Sequence, residues 1–250
     1  HLVRDPGWPA ARQFLVEVTN PSTVPGYYQP LTMISLMLDW ARSGNATDFR
    51  AFHETNLALH VINALLVVVV LTLLFGDVWI AAAAGLLFGV HPLTVETLAW
   101  LAERKTLLAT CATLGSLALY LWSVRRARGR WSLLTGSAVL FGVALLAKPT
   151  VTPLPLLLIL LDYWPLRRVN RAALLEKIPF FALALVAGII TLVSQQQSGR
   201  VTMPGEYGPL RIPLTLCHNI IFYLAAFVWP FGLSAFQPFP TPLTLANPWL

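Results

Sequence analysis

Apolar residues in this chain are gathered into long blocks, and the polar residues between them come in short bursts. A helix crossing a bilayer needs about 20 mostly apolar residues, fewer where polar ends reach the interface. By that measure the pattern predicts spans over residues 56–75, 78–90, 105–122, 131–147, 151–164, 178–193 and 212–229. Several are short, as in a tilted or broken-helix bundle. Ahead of them, residues 8–18 read as an amphipathic helix and 31–40 as a brief apolar one, both suited to the interface rather than to spanning. The chain thus divides into an external segment (1–55), a bundle of about seven spans (56–230) and a Pro- and aromatic-rich segment (231–250). The fold class expected is all-α, a polytopic transmembrane bundle.

Basic residues set the orientation, because short cytoplasmic loops collect Lys and Arg. Arg125, Arg126, Arg128 and Arg130 crowd one turn, and Arg167, Arg168, Arg171 and Lys177 crowd another two spans later. Both turns therefore face one side, expected to be the cytoplasm. The N-terminal segment, residues 91–104, the turn at Lys148–Pro149 and the loop 194–211 fall on the other side.

Composition agrees with a membrane protein. Of 250 residues, 56% are hydrophobic and 11% charged, about half the charge of a soluble domain. The net charge of +6 is explained by interfacial Lys and Arg, so a nucleic-acid partner is not implied. Cys111 and Cys217 lie in apolar blocks and read as small buried hydrophobes, not as a disulfide or metal pair. No signal peptide, Gly-rich phosphate loop, Ser–His–Asp arrangement or CxxC motif is present, and no cofactor is called for. The missing initiator Met and the abrupt end at Leu250 suggest a piece of a longer protein.

The candidate chemistry gathers on the external side. His53, Asn56, His60 and Asn63 are spaced three, four and three apart, so they share one stripe of a helix. Two duties stay open for this stripe: interhelical hydrogen bonds that pack the bundle, or the lining of a substrate cleft. A metal site is not supported, since no carboxylate completes a ligand set. The next external stretch, HPLTVETLAWLAERKT, brings His91, Glu96, Glu103, Arg104 and Lys105, and Lys148 follows in AKPTVTP. Arg104, Lys105 and Lys148 are cations on the side where topology disfavours them. A lipid-linked phosphate would compensate them; interface anchoring, or a local pair between Glu103 and Arg104, is the plainer alternative. Tyr28 and Asp39, on the external segment, join the cleft-lining candidates. Thr106, Thr110 and Thr113, with Gly115 nearby, read as a helix-packing face.

The words YYQPLTMISLMLD, FHETNLALHVINALL, GLLFGVHPLTVETLAWLAERKTLLAT, AKPTVTPLPLLLILLDYWPL, LLEKIPFF and WPFGLSAFQPFP, in this order, resemble one family. It comprises bacterial relatives of the transmembrane-and-tetratricopeptide-repeat O-mannosyltransferases, within the GT-C superfamily. The resemblance implies an integral-membrane glycosyltransferase using a polyprenyl-phosphate sugar, with an extracytoplasmic acceptor such as a protein hydroxyl. It further implies a bacterial inner-membrane location, with the polar site facing the periplasm, and a C-terminal array of tetratricopeptide repeats in full-length relatives. Two departures stand out. The family's acidic motif, the expected base region, should lie upstream of His1, and Asp5 does not match it; Gln29 follows the tyrosines where relatives differ. A fragment without the motif is expected to be inactive alone. Within this chain the catalytic role falls to Glu96, which could equally cap or orient the helix after Pro92. The alternatives are a transporter or flippase of a lipid-linked substrate, although no internal repeat supports one, and a non-catalytic membrane scaffold.

Overall fold

A computed structural model describes residues 2–18, 26–44, 48–126, 128–198 and 211–230. All the regular structure among them is helical. Outside them lie most of the loop 194–211, expected on the external side, and the segment 231–250. The α-helices are α1 (Trp8–Val16), α2 (Pro30–Ser43), α3 (Arg50–Phe75), α4 (Val78–Val90), α5 (Val95–Ala99), α6 (Arg104–Arg125), α7 (Arg130–Ala147), α8 (Leu154–Tyr163), α9 (Arg171–Leu175), α10 (Ile178–Gln197) and α11 (Arg211–Val228).

Four stretches are long and apolar enough to cross a membrane: Arg50–Phe75, Leu101–Arg125, Arg130–Ala147 and Arg171–Gln197. A fifth is the pair Val78–Val90 and Pro92–Ala99, bent by 53°. The two remaining blocks expected to span, in Pro149–Tyr163 and Ile212–Val228, form apolar helices too short to meet the same length. The chain is an all-α polytopic bundle.

Local sequence explains where the helices break. Gly76, at φ 81°, ends α3 in the left-handed conformation that glycine adopts without strain. Asp77 then caps α4 by accepting from the amides of Trp79 (2.8 Å) and Ile80 (3.0 Å). Pro92 interrupts the ladder after α4, and His91 caps the short 3-10 turn that follows, its Nδ1 accepting from the Leu93 amide at 3.3 Å.

Helices in lipid gain little from hydrophobic exclusion of one another, so close approach and interhelical hydrogen bonds hold them. Both devices recur here. Gly85 and Gly89 of α4 let it lie on α3: a β-carbon at Gly85 would run into Val68 and sit 3.1 Å from the Ala64 carbonyl. At the α6–α7 crossing, Ser116 and Ser137 each donate to the other's carbonyl at 2.8 Å. Gly115 and Gly136 flank that crossing, where added β-carbons would meet Leu140 and Leu119 at 3.0 and 3.1 Å. Gly115 thus belongs to a packing face, as expected. Around it, Leu117, Leu121, Phe141, Leu145, Leu158 and Phe180 join α6, α7, α8 and α10 in the main core. A smaller core of Ala10, Phe14, Met33 and Met37 pins α1 to α2.

The end of the bundle that carries the arginine-rich turns holds a buried ionic network. Asp162, at the end of α8, accepts from Arg168 at 2.8 Å, from Tyr120 at 2.7 Å and from Lys177. Glu176 accepts from Arg168 at 2.6 Å and from Arg130. Three of the eight cations used to orient the chain are therefore balanced by carboxylates. Arg125, Arg126, Arg128, Arg167 and Arg171 form no ion pair with a described residue and still mark that end. Cys217 is exposed on α11 and Cys111 half-buried, so neither is the fully buried hydrophobe expected. Both are free thiols.

Candidate functional site

At the opposite end, α2 lies across the tops of α3, α6 and α7. Thr32 donates to the Ala147 carbonyl at 3.1 Å, joining α2 to the end of α7. Asp39 faces Arg104 at 2.7 Å, and Thr55 of α3 donates to Asp39 at 2.8 Å. Arg104 is fully buried. Its guanidinium donates to Ser35 (2.9 Å), the Phe52 carbonyl (2.8 Å) and Asn56. These bonds commit its donors to the helix junction. Arg104 and Asp39, expected at a phosphate site and a cleft, are instead a buried pair holding α2, α3 and α6 together.

The polar stripe of α3 packs in the same way. Asn56 donates to the Leu98 carbonyl at 2.9 Å, His60 Nε2 to Gly89 at 2.9 Å, and Asn63 to Leu107 at 3.1 Å. All three side chains are buried, and each carbonyl belongs to the bent segment or the start of α6. His60 also stacks on Phe88, with ring centroids 5.7 Å apart. Hydrogen bonding is what these residues do, and none of them lines the cavity described below. His53, one turn nearer the end, is exposed. His91 is likewise engaged: with Nδ1 accepting, its Nε2–H donates to the Phe227 carbonyl at 3.1 Å, and the two rings stack. Tyr28 donates to the Leu15 carbonyl at 2.9 Å. Burial pushes its phenol above the ordinary pKa, so it is protonated at neutral pH. Glu96 is exposed on α5 and does not line the cavity.

What remains converges. A cavity of about 740 Å³ opens where α6 begins, α7 ends and α10 ends. Lys105 and Glu103 come from the start of α6, and Lys148, Pro149, Thr150 and Thr152 from the turn before α8. Tyr27 and Gln29 come from the segment before α2, and Gly188, Thr191, Leu192 and Gln195 from α10. Glu103 sits between the two cations, 3.2 Å from Lys105 and 3.6 Å from Lys148. Lys148 donates to Thr106 at 2.8 Å, and Thr106 in turn donates to Glu103. Two of the three expected cations thus reach one cavity from different helices. Glu103 pairs with both of them and not with Arg104.

The cavity is two-sided. Lysines, the carboxylate, Tyr27, Gln29 and Gln195 ring its polar part, while Leu192 and Gly188 extend it along α10. No atom lies within 4 Å of where a β-carbon would stand at Gly188, so the helix carries a notch there. An anionic head with an apolar tail suits that shape.

Part of the sequence is similar to that of a known protein. Over 141 residues it is 33% identical to the protein O-mannosyl-transferase Tmtc2 of Drosophila melanogaster. The match takes in 55% of this chain but only 15% of the fly protein's length. No family model matches the chain, and no solved structure matches it significantly. Glu103, weighed in the sequence only as a local partner of Arg104, is instead the carboxylate shared by Lys105 and Lys148. Its signal was a carboxylate one helical turn from Thr106 and two positions before Lys105, at the head of an apolar helix.

Proposed function

We propose that this chain is the membrane part of a glycosyltransferase, moving a sugar from a polyprenyl-phosphate donor to an extracytoplasmic hydroxyl, such as one on a protein. The observation that carries the reading is the convergence of Lys105 and Lys148 on one cavity with an apolar extension along α10. Ammonium groups hold phosphate oxygens through charge-assisted hydrogen bonds. They would also stabilise the negative charge that develops on the phosphate as the glycosidic bond breaks. The notch at Gly188 would admit the first units of the isoprenoid chain. The arginine-rich end, at the opposite end of α6, would face the cytoplasm, and the cavity would face the periplasm or exterior. Similarity to an O-mannosyl-transferase supports this class, and mannose is the first sugar to test.

A transporter of lipid-linked substrate would use the bend between α4 and α5. The buried polar groups beside that bend are already spent on packing, through Asn56, His60 and His91. The test is direct: purified full-length protein, a mannosyl-phosphoryl-polyprenol carrying labelled sugar, and a Ser/Thr peptide library. Label transferred to peptide supports the reading. Label moved across vesicles without transfer would replace it by transport.

A further inference from the structure

A phosphodiester donor carries two substituents, and they need different walls. With the phosphate at Lys105 and Lys148, the notch at Gly188 takes the isoprenoid chain. Gly188 lies about 10 Å back along α10 from Gln195, so that chain runs towards the apolar interior. The sugar is covered in hydroxyls and has no place there. It needs polar groups carried by another element, and most of those in the cavity are already spent. Thr152 and Thr191 donate to the Pro149 and Ala187 carbonyls at 3.1 and 2.8 Å, and Glu103 is paired with the lysines. The Gln29 amide does not cap α2 and bonds to no described residue. It lines the cavity together with Tyr27.

These two residues are held from several directions. Gly26, at φ 82°, turns the chain before them, and the buried Pro30 starts α2 after them. Tyr28, between them, donates to the Leu15 carbonyl at 2.9 Å. Thr32, in the first turn of α2, donates at 3.1 Å to the carbonyl of Ala147, the residue before Lys148. The segment is thereby tied to the backbone that carries one of the two lysines.

We propose, resting on the donor reading above, that Tyr27 and Gln29 form the sugar subsite of the cavity and that it takes an uncharged pyranose. A pyranose has an apolar face of C–H groups and a rim of hydroxyls that both donate and accept. The Tyr27 ring, 43% exposed, offers a surface to the first. The Gln29 amide carries a donor and an acceptor, which match two neighbouring hydroxyls. The subsite brings a phenol and an amide and no ionised group. Beside it, the two lysines are balanced by Glu103 and by the single charge of a phosphodiester. A uronic acid or an amino sugar would bring a charge without a partner, which is costly where water is scarce. Glu17 shares a second cleft with the pair, but that cleft is about 10 Å³, too small for a sugar ring. Its carboxylate accepts from Gln13 at 2.6 Å.

The test uses full-length protein and two kinds of binding probe. One is undecaprenyl phosphate, which lacks the sugar; the other is its mannosyl and glucosyl phosphodiesters. Gln29→Ala should bind undecaprenyl phosphate as the natural protein does. It should bind the preferred phosphodiester about fivefold more weakly, in keeping with the loss of one neutral hydrogen bond. Tyr27→Ala should show the same split with at least as large a loss. In turnover the donor KM should rise in both variants with kcat less affected, because binding common to ground and transition states is lost. Unchanged phosphodiester affinity in either variant would overturn the proposal. So would equal weakening of both kinds of probe, which would make the pair a support for Lys148. Natural protein that holds undecaprenyl phosphate but neither phosphodiester overturns it as well. Should Tyr27→Ala not fold, Gln29→Ala decides alone. Failure of the natural protein to bind undecaprenyl phosphate would instead bring down the donor reading beneath it.

Discussion

Asp39 and Arg104 meet at 2.7 Å, one at the end of a helix laid across the bundle and the other at the first turn of α6. The Arg104 N–H groups are aimed at Ser35, Asn56 and the Phe52 carbonyl, so Asp39 is held by charge more than by a directed bond. Next to this buried pair, Lys105 turns into the cavity. The junction therefore fixes the direction in which the site residues point without belonging to the site.

Removing either member leaves a buried charge without its partner. Arg104→Met and Asp39→Leu should each destabilise the protein by about 3–5 kcal/mol, and the double variant should be much less damaged than the two single losses combined. Thermal unfolding in detergent reads this. Additive losses would show that the pair is not coupled.

Most of the bundle could be read from hydropathy alone, because α3, α6, α7 and α10 are long apolar runs bounded by polar turns. The inward face of Asn56, His60 and Asn63 followed from helical spacing. What spacing could not say is which of two adjacent cations is buried. Arg104 and Lys105 stand about 100° apart on α6, and their fates depend on Asp39, placed by the fold of a distant segment. The ionic network at the other end was also missed, although a carboxylate at Asp162 within an apolar run implies a partner. Arg168 and Lys177 looked like loop cations because nothing local pairs them with that aspartate. His53 shares the stripe's spacing but is exposed, whereas its neighbour Phe52 is buried.

Gly85 tests the close approach of α4 to α3. Gly85→Leu should lower stability by about 1–3 kcal/mol, since the added side chain must displace Val68 or push the helices apart. Gly44→Leu, where no atom lies within 4 Å of an added β-carbon, controls for bulk, although its φ of 61° adds local strain. Unfolding midpoints equal to the natural protein's in Gly85→Leu would mean the helices are not in contact there.

Gly188 gives the opposite expectation. Leucine there meets open space and removes a glycine from a helix, so stability should hold or rise by up to about 1 kcal/mol. The side chain would occupy the apolar extension of the cavity, and binding of undecaprenyl phosphate should weaken at least about tenfold. Equal affinity would place the isoprenoid chain elsewhere.

Orientation is checked by single cysteines in a background lacking Cys111 and Cys217. Thr150→Cys, exposed beside the cavity, should react with an impermeant maleimide added from outside intact cells, and Arg128→Cys should not. Labelling in the reverse pattern would put the cavity on the cytoplasmic side.

The central claim is that Lys105 and Lys148 together hold a lipid-linked phosphate. Two charge-assisted contacts at about 1.5–3 kcal/mol each correspond to at least about a hundredfold in affinity. Binding of undecaprenyl phosphate is therefore to be measured on the natural protein, on the double variant Lys105→Ala, Lys148→Ala, and on Arg50→Ala, which removes an exposed cation from the start of α3. A hundredfold loss in the double variant, with a cooperative unfolding transition retained and Arg50→Ala indistinguishable from the natural protein, is the expected result. Equal affinity in all three proteins would contradict the assignment of this cavity to phosphate.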